Sequence, residues 1–348
     1  MKERIRLFVA LCFYYSGLVK LAHWWTRRLG RRMIILKYHR AIGGDLRGQM
    51  LYLRQHYRLL HLEEALEELY TPLQEGKRVR DRRIPMVLTF DDGYRDNYTH
   101  AFALARELQI PITIFIIPGY IESGDYFWWL ENERLVRRAQ ASEVTIEGRV
   151  YHLNQPKDRA MLAQAIKTRL RYSRSVAERE AFLADLRKAL LVLSSVTLEE
   201  EAALPLTWAQ VRKMEESGWV SFGGHTMHHP ILAHLQDPTE VRLEVGECRT
   251  VLEQQLGHPV RTFAYPVGSL RNIGDEALRS VKAAGYEWAV TTVEEVATPQ
   301  SDPHLLSRIS GDPNVHWLVM ASELVGLLGN VTRLRRKLDI VSRLRRKL

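Results

Sequence analysis

Six short apolar runs recur along the chain with helix-like stretches between them, and no other feature constrains the fold as much. The runs are Met33–Tyr38 (MIILKY), Met86–Phe90 (MVLTF), Ile112–Ile117 (ITIFII), Trp219–Gly223 (WVSFG), Arg261–Tyr265 (RTFAY) and Glu287–Thr292 (EWAVTT). Each has strand length and carries β-branched or aromatic residues. Helical spacing fills about 46–57, 61–70, 97–109, 239–256 and 274–285; in the third stretch Ala101, Leu104, Ala105 and Leu108 make an apolar face. Strands alternating with helices predict a parallel α/β sheet or barrel with helices outside. With 348 residues, 46% of them hydrophobic, the chain is long enough for one large domain with an insertion.

The rhythm breaks over 120–206. An aromatic cluster (Tyr126, Phe127, Trp128, Trp129) leads into an expected hairpin, Glu143–Leu153, and then into charged helices from about 157 to 201. This reads as a mainly helical insertion or lid on a barrel built from 33–119 and 207–312. Thr207 restarts the main domain as the N-cap of a helix ending at Gly218.

The net charge of +9 is concentrated at the two ends. Residues 1–32 hold eight Lys/Arg and one acid, residues 333–348 hold the same, and the body between them is about five charges negative. A nucleic-acid groove needs its basic residues on the folded body, so no nucleic-acid partner is expected. Leu7–Val19 is apolar, is followed by Trp24 and Trp25, and is basic on both flanks. It is shorter than the ~20 residues of a spanning helix and has no small-residue cleavage site. Residues 1–32 therefore read as an uncleaved, membrane-associating segment with interfacial tryptophans. The tail, 313–348, repeats Arg-Leu-Arg-Arg-Lys-Leu at 333–338 and 343–348; it reads either as a basic amphipathic helix on an anionic surface or as a solvated charge run. Both termini thus point to a membrane surface, the cytoplasmic face being favoured over the periplasmic one. Cys12 and Cys248 are the only cysteines, so no disulfide framework is expected.

Two motifs far apart carry the chemistry: Thr89–Gly93 (TFDDG) and His225–His229 (HTMHH). Each follows a strand-like run, and the carboxyl ends of strands are where parallel α/β folds collect catalytic groups. Asp92, His225 and His229 make a carboxylate–imidazole–imidazole set for a divalent metal. Zinc is the first expectation, with cobalt, nickel or manganese as alternatives; such a site keeps a position open for water, whose pKa falls towards ~7. Asp91, beside a ligand but pointing elsewhere, is then a candidate base. The i,i+4 spacing of His225 and His229 suits one face of a helical turn, and His228 is read as structural.

TFDDG, HTMHHP and the RTFAYPVG of Arg261–Gly268 resemble the first three motifs of the NodB-type polysaccharide deacetylases, carbohydrate esterase family 4. The similarity runs over roughly 33–310 apart from the insertion. It implies a distorted (β/α) barrel of NodB homology type and metal-dependent hydrolysis of an N-acyl amino sugar, an amide C–N bond, by a bacterial enzyme. On that resemblance Asp91 is the base, Asp92, His225 and His229 hold the metal, and the Tyr94 backbone N–H is an oxyanion donor. The family's arginine that orients the base would fall near Ala264. Arg261 lies three residues too early; Arg308, at the strand-like end of Leu305–Ile309 (LLSRI), is the candidate to orient Asp91 instead. The family's late leucine–histidine motif is also missing; a circularly permuted subset of the family takes that histidine from an N-terminal Tyr-His, here Tyr38-His39, so His39 is expected as the acid that protonates the leaving amine. His304 is its competitor. Tyr265, Pro266 and Trp288 are candidate substrate contacts, although Tyr265, Trp288 and the 126–129 aromatics each have a core reading too. The expected partner is an N-acylated amino-sugar glycan, free or lipid-linked. The alternatives are a deacylase or deformylase of a lipid-linked sugar at the membrane, and an inactive saccharide-binding barrel.

Overall fold

The computed structural model describes residues 2–72, 81–192 and 198–328. The basic repeats at 333–338 and 343–348 lie outside the described residues. Among the described residues ten strands are formed: β1 (Ile34–Tyr38), β2 (Arg58–Leu59), β3 (Pro85–Phe90), β4 (Ile112–Ile116), β5 (Glu143–Ile146), β6 (Arg149–His152), β7 (Val220–Gly224), β8 (Thr262–Ala264), β9 (Trp288–Val290) and β10 (Ile309–Ser310). The helices flanking the strands of the main sheet are α1 (Lys2–Tyr15), α2 (Leu18–Thr26), α3 (Leu46–His56), α4 (Leu62–Tyr70), α5 (Ala103–Leu108) and α6 (Pro118–Ser123). Between β4 and β7 come α7 (Trp128–Arg138), α8 (Pro156–Arg171), α9 (Val176–Ala189), α10 (Leu198–Ala202) and α11 (Trp208–Glu216), and the chain ends its described part with α12 (Pro238–Leu256), α13 (Leu270–Ala283) and α14 (Trp317–Leu324).

The main sheet runs β10-β1-β3-β4-β7-β8-β9, all parallel, with β2 paired to the start of β3. Its two edges meet through one short segment. Leu306 bridges Val290 beside β9, and three residues later Ile309 pairs with Leu36 of β1. The sheet thereby curls into the expected distorted barrel, and Arg308 sits on the segment that closes it.

Side-chain alternation divides the strands into two layers. Ile34, Leu36 and Tyr38 of β1, and Met86, Leu88 and Phe90 of β3, face out and pack in the large core under the helices. Met33, Ile35, Val87, Phe115, Ala264, Val290 and Leu306 form a separate cluster inside the barrel. The same parity carried towards the carboxyl ends places Lys37 and His39, Thr89 and Asp91, and Arg308 in the interior. Sequence period thus delivers these candidate site side chains to one mouth.

Thr207 caps α11 through a capping box with Gln210. The 143–153 hairpin turns at Glu147 and Gly148, both at positive φ, as a two-residue primed turn requires. The expected helix over 97–109 begins with wider π-turns from Asn97 to Phe102 before α5. The 274–285 helix starts earlier, at Leu270, and is broken at Gly274 (φ 76°).

At the amino end, Gly17 (φ 81°) turns α1 into α2, and the two helices are bent by 72°. Ala10 of α1 is buried against Leu318 and Val319 of α14, and Arg6 pairs with Glu323. Among the described residues no single helix is long and apolar enough to cross a membrane; α1 and α2 together have the length and composition.

Two glycines predict opposite outcomes on substitution. A Cβ on Gly223 of β7 would lie 2.6 Å from the Phe115 ring and from Thr262 Oγ1, so Gly223→Ala is expected to destabilise the fold by about 1–3 kcal/mol. Gly246 in α12 has open space around it, and Gly246→Ala is expected to stabilise by about 0.5–1 kcal/mol. Urea unfolding of both variants checks the pair.

Candidate active site

β3 ends in a turn that separates two adjacent carboxylates. Asp91 stays extended and its N–H donates to the Tyr38 carbonyl (2.9 Å), which prolongs the β1–β3 ladder. Asp92 (φ 74°) and Gly93 (φ 69°) then turn left-handed. Glycine is required at the second position, because a Cβ there would lie 2.7 Å from Ile116 Cγ2. The turn sends the two side chains in different directions.

Asp91 meets Arg308. The guanidinium donates to both carboxylate oxygens, Nη1 to Oδ1 (2.7 Å) and Nη2 to Oδ2 (2.8 Å), and is held by Thr89 Oγ1 (3.2 Å) and the Thr291 carbonyl (2.8 Å). Both side chains are buried, Arg308 completely. Burial alone would push the Asp91 carboxyl up, but Arg308 outweighs it and holds the group far below the usual carboxylate range. Lys37 shares this interior, and its ammonium is lowered by burial and then by Arg308.

Asp92 meets the two histidines. His225 Nε2 lies 3.4 Å and His229 Nε2 3.5 Å from Asp92 Oδ1. His225 N–H donates to the Ile116 carbonyl, extending the β4–β7 ladder by one residue. Its Nδ1 lies 2.6 Å from the Ala264 carbonyl; a carbonyl only accepts, so Nδ1 carries a proton and Nε2 is the nitrogen that faces Asp92. Burial, and then His225, pushes His229 down to about 3, which keeps that imidazole neutral. Three buried ligand atoms within 4.8 Å of one another, a carboxylate oxygen and two imidazole nitrogens, fit a divalent metal.

The histidine motif is not helical, which corrects the helical-turn expectation. Thr226 (φ 64°) and His229 (φ 55°) are left-handed, and His229 N–H donates to Thr226 Oγ1 (2.9 Å). The loop folds back on itself, so the spacing of four works without a helix. Glu244 of α12 secures it: its backbone carbonyl accepts from Met227 N–H, and its carboxylate receives the His228 N–H and lies 2.7 Å from His228 Nδ1.

His39 follows β1 and opens on the same cavity, of about 550 Å³, as Asp91, Asp92, His225 and His229. Its backbone is fixed by two residues just beyond the first motif: Asn97 Nδ2 donates to the His39 carbonyl (3.0 Å), while Asp96 accepts from Ala41 N–H and pairs with Arg40. The Tyr94–Pro205 bridge is bonded through Arg95 N–H to Leu204 and Leu206 N–H to Gly93, which leaves the Tyr94 N–H facing away from that pairing. Tyr265 is on the cavity wall with Val267, the turn residue after buried Pro266.

Other expected residues lie elsewhere. Trp288 is a correction: it opens β9 beside Thr262, buried in the barrel core and under the Arg261 guanidinium (4.5 Å), and takes no part in the cavity wall. Alternation gives a side chain's layer but not its end of the barrel. Arg261 pairs with Glu63, Glu67 and Glu287. His304 faces the Tyr286 carbonyl (3.0 Å), ahead of β9.

The residues between β4 and β7 do more than wall the cavity. Trp128 Nε1 donates to the His229 carbonyl (2.9 Å), the Trp129 ring packs 4.3 Å from the His229 ring, and buried Arg179 donates to the His228 carbonyl (2.9 Å). Trp128 and Trp129 stand out in the sequence only as part of the 126–129 aromatic cluster, not as supports of the histidine loop, while Arg179, Asp96, Asn97 and Glu244 escape sequence reasoning; of these four only Asp96 and Asn97, within six residues of Asp91, have a neighbourhood to suggest them. Since outer contacts that orient ligands are worth roughly 10–100-fold in metal affinity, Trp128→Phe is expected to weaken metal retention about tenfold, read by competition with a chelator.

Residues 78–289 match the family model described as polysaccharide deacetylase. The Bacillus subtilis (strain 168) protein YxkH, which carries a polysaccharide-deacetylase name, is 20% identical over 289 residues, 82% of this chain and 73% of its own. Among solved structures, the Streptococcus pyogenes deacetylase PplD in complex with acetate superposes with a TM-score of 0.52 at 20% identity, covering 83% of this chain and 96% of its own. IcaB from Ammonifex degensii gives 0.51 at 18% identity, covering 84% and 97%. At these identities the structures share the fold, whereas the family match spans more than half of the chain: the chain belongs to the polysaccharide deacetylase family.

Proposed function

We propose that the chain is a metal-dependent hydrolase that removes N-acetyl groups from the amino sugars of a polysaccharide or other glycan. Family membership makes it a hydrolase of amide C–N bonds. One observation carries the finer reading: Asp92, His225 and His229 gather three ligand atoms within 4.8 Å, while the adjacent Asp91 is turned onto Arg308. One carboxylate is given to a metal and its neighbour is kept back as a base.

A divalent metal, when held there, supplies Lewis acidity to water and to an acyl oxygen. The chain's own groups handle the protons. Asp91 takes one proton of the attacking water as its oxygen bonds to the acyl carbon, the acyl C–N bond breaks, and His39 gives a proton to the leaving nitrogen, so that a carboxylic acid, which ionises to the solvent, and a free amine result. The Tyr94 N–H is assigned to the oxyanion, and Arg308 to the orientation of Asp91. The Tyr38-His39 pair at the end of β1, adjacent to β10 in the sheet, supports the permuted form of the family.

Amine release from N-acetylglucosamine oligomers by the metal-loaded chain tests the reading. EDTA is expected to abolish it and zinc to restore it. Asp91→Asn and His39→Asn each are expected to lose about 10²–10⁴-fold in kcat, Asp91→Asn while retaining its metal. Arg308→Lys is expected to lose about 10²-fold through misplacement of Asp91. Oligomer binding without amine release would instead identify an inactive saccharide-binding barrel.

We further propose that α1 and α2 hold the body at a membrane surface. Phe8, Tyr15, Leu21, Trp24 and Trp25 are exposed, Phe8 by 67% and Tyr15 by 75%, and Arg28 stacks on Trp24 at 3.8 Å. An apolar face with tryptophans and flanking arginines suits the headgroup boundary. The full chain is expected to float with vesicles containing phosphatidylglycerol, and Trp24→Ala/Trp25→Ala to weaken that binding about tenfold or more. Failure of the wild-type chain to float would discard the attachment.

A further inference from the structure

The cavity contains cations that hydrolysis does not use. Lys167 and Arg171, four residues apart on one face of α8, line it together with the metal set. Among the described residues the only carboxylates on the same wall are Asp91, engaged by Arg308, and Asp92, set between two imidazoles. Neighbouring arginines are neutralised: Arg169 pairs with Glu178, Arg138 with Glu200 and Arg179 with Glu180. Among the described residues neither Lys167 nor Arg171 forms an ion pair, and both are exposed towards the cavity.

The platform beneath them is fixed. At the end of α8 the Arg171 carbonyl lies 3.0 Å from His234 Nδ1, Tyr172 stacks on the His234 ring at 5.0 Å, and Gln236 N–H donates to the Arg174 carbonyl. That segment follows the metal-ligand loop, so the two cations are tied to the same body that holds His229. A basic residue in the last helical turn also suits the helix dipole, but this explains neither Lys167, which lies before that turn, nor the absence of a partner for either side chain. An ammonium next to a guanidinium fork is the equipment for a phosphoryl or carboxylate oxyanion.

We propose that Lys167 and Arg171 form an anion subsite, so that the substrate carries a phosphoryl or carboxylate group close to the acylated amino group. This rests on the deacylase reading. The test compares the wild-type chain with Lys167→Ala/Arg171→Ala, both metal-loaded, on a neutral N-acetylglucosamine oligomer, on N-acetylglucosamine 1-phosphate and on an N-acetylglucosamine–uronate disaccharide. In the wild type, at low salt, kcat/KM is expected to be about tenfold higher or more for one charged substrate than for the neutral one. The double variant is expected to raise KM for that substrate about 10–30-fold, and for the neutral one less than threefold, with the loss in KM and not in kcat. Which charged substrate responds tells phosphoryl from carboxylate. Equal effects on neutral and charged substrates, or no charge preference in the wild type, overturn the subsite. Calorimetric binding of N-acetylglucosamine 1-phosphate and of the uronate disaccharide to Asp91→Asn, with and without the two alanines, decides the matter should no substrate turn over. A roughly tenfold weakening of either by the alanines keeps the subsite while the deacylase reading falls, and unchanged binding of both removes the subsite.

Discussion

A guanidinium with no solvent exposure lies inside the barrel, and the arrangement of the mouth follows from it. Arg308 reaches the interior because the segment Leu306–Ile309 closes the barrel between β9 and β1. A charge there is tolerable only with a partner and satisfied donors, since removing one member of a buried pair costs about 3–5 kcal/mol. Asp91 accepts two of its hydrogen bonds, and Thr89 and the Thr291 carbonyl take two more. Closure of the fold and orientation of the carboxylate are therefore one event. Once Asp91 is committed to Arg308, Asp92 is the member of the pair left to face His225 and His229.

The histidine loop, His225–His229, has the opposite character. It has no regular structure to hold it, and two of its residues are left-handed, so contacts from outside supply the rigidity. Glu244 holds one side from α12, and Trp128 and Arg179 hold the other. Sites on loops gain precision only from such a supporting shell. The helices between β4 and β7 consequently have two duties, forming the cavity wall and fixing the backbone of His228 and His229.

How much of this could be read in the sequence depended on the range of the contact. The strands and most helices follow local period, and His39, Asp91 and Arg308 could be placed because each lies at or beside the end of a recognisable strand. Arg308, and not an arginine near Ala264, pairs with Asp91, and a strand-like setting was enough to suggest it although 217 residues separate the two. Arg179 had no such setting, and Trp128 stood out only as one of the 126–129 aromatics: they reach the histidine loop from 49 and 101 residues away, and nothing in their own neighbourhoods points to that loop. The helical-turn expectation for His225 and His229 failed because four-residue spacing fits a helix and a folded-back loop equally well. Trp288 failed because alternation along β9 assigns a layer and is silent on the end.

The depth to which Arg308 holds Asp91 also limits what Asp91 can do in the proposed chemistry. General-base efficiency is greatest when the base's pKa lies near the working pH, and a carboxylate kept below its ordinary range has a weak claim on the proton of bulk water, whose pKa is about 15.7. As a base, Asp91 is useful only against water that has already been made more acidic. The donor set of Asp92, His225 and His229 is what would provide that, and it stands one residue away in the chain. The strong ion pair and the metal-type cluster are thus complementary. Orientation by Arg308 sacrifices basicity in Asp91, and the neighbouring ligand set is suited to compensate for the loss, so that neither half of the aspartate pair would serve well without the other.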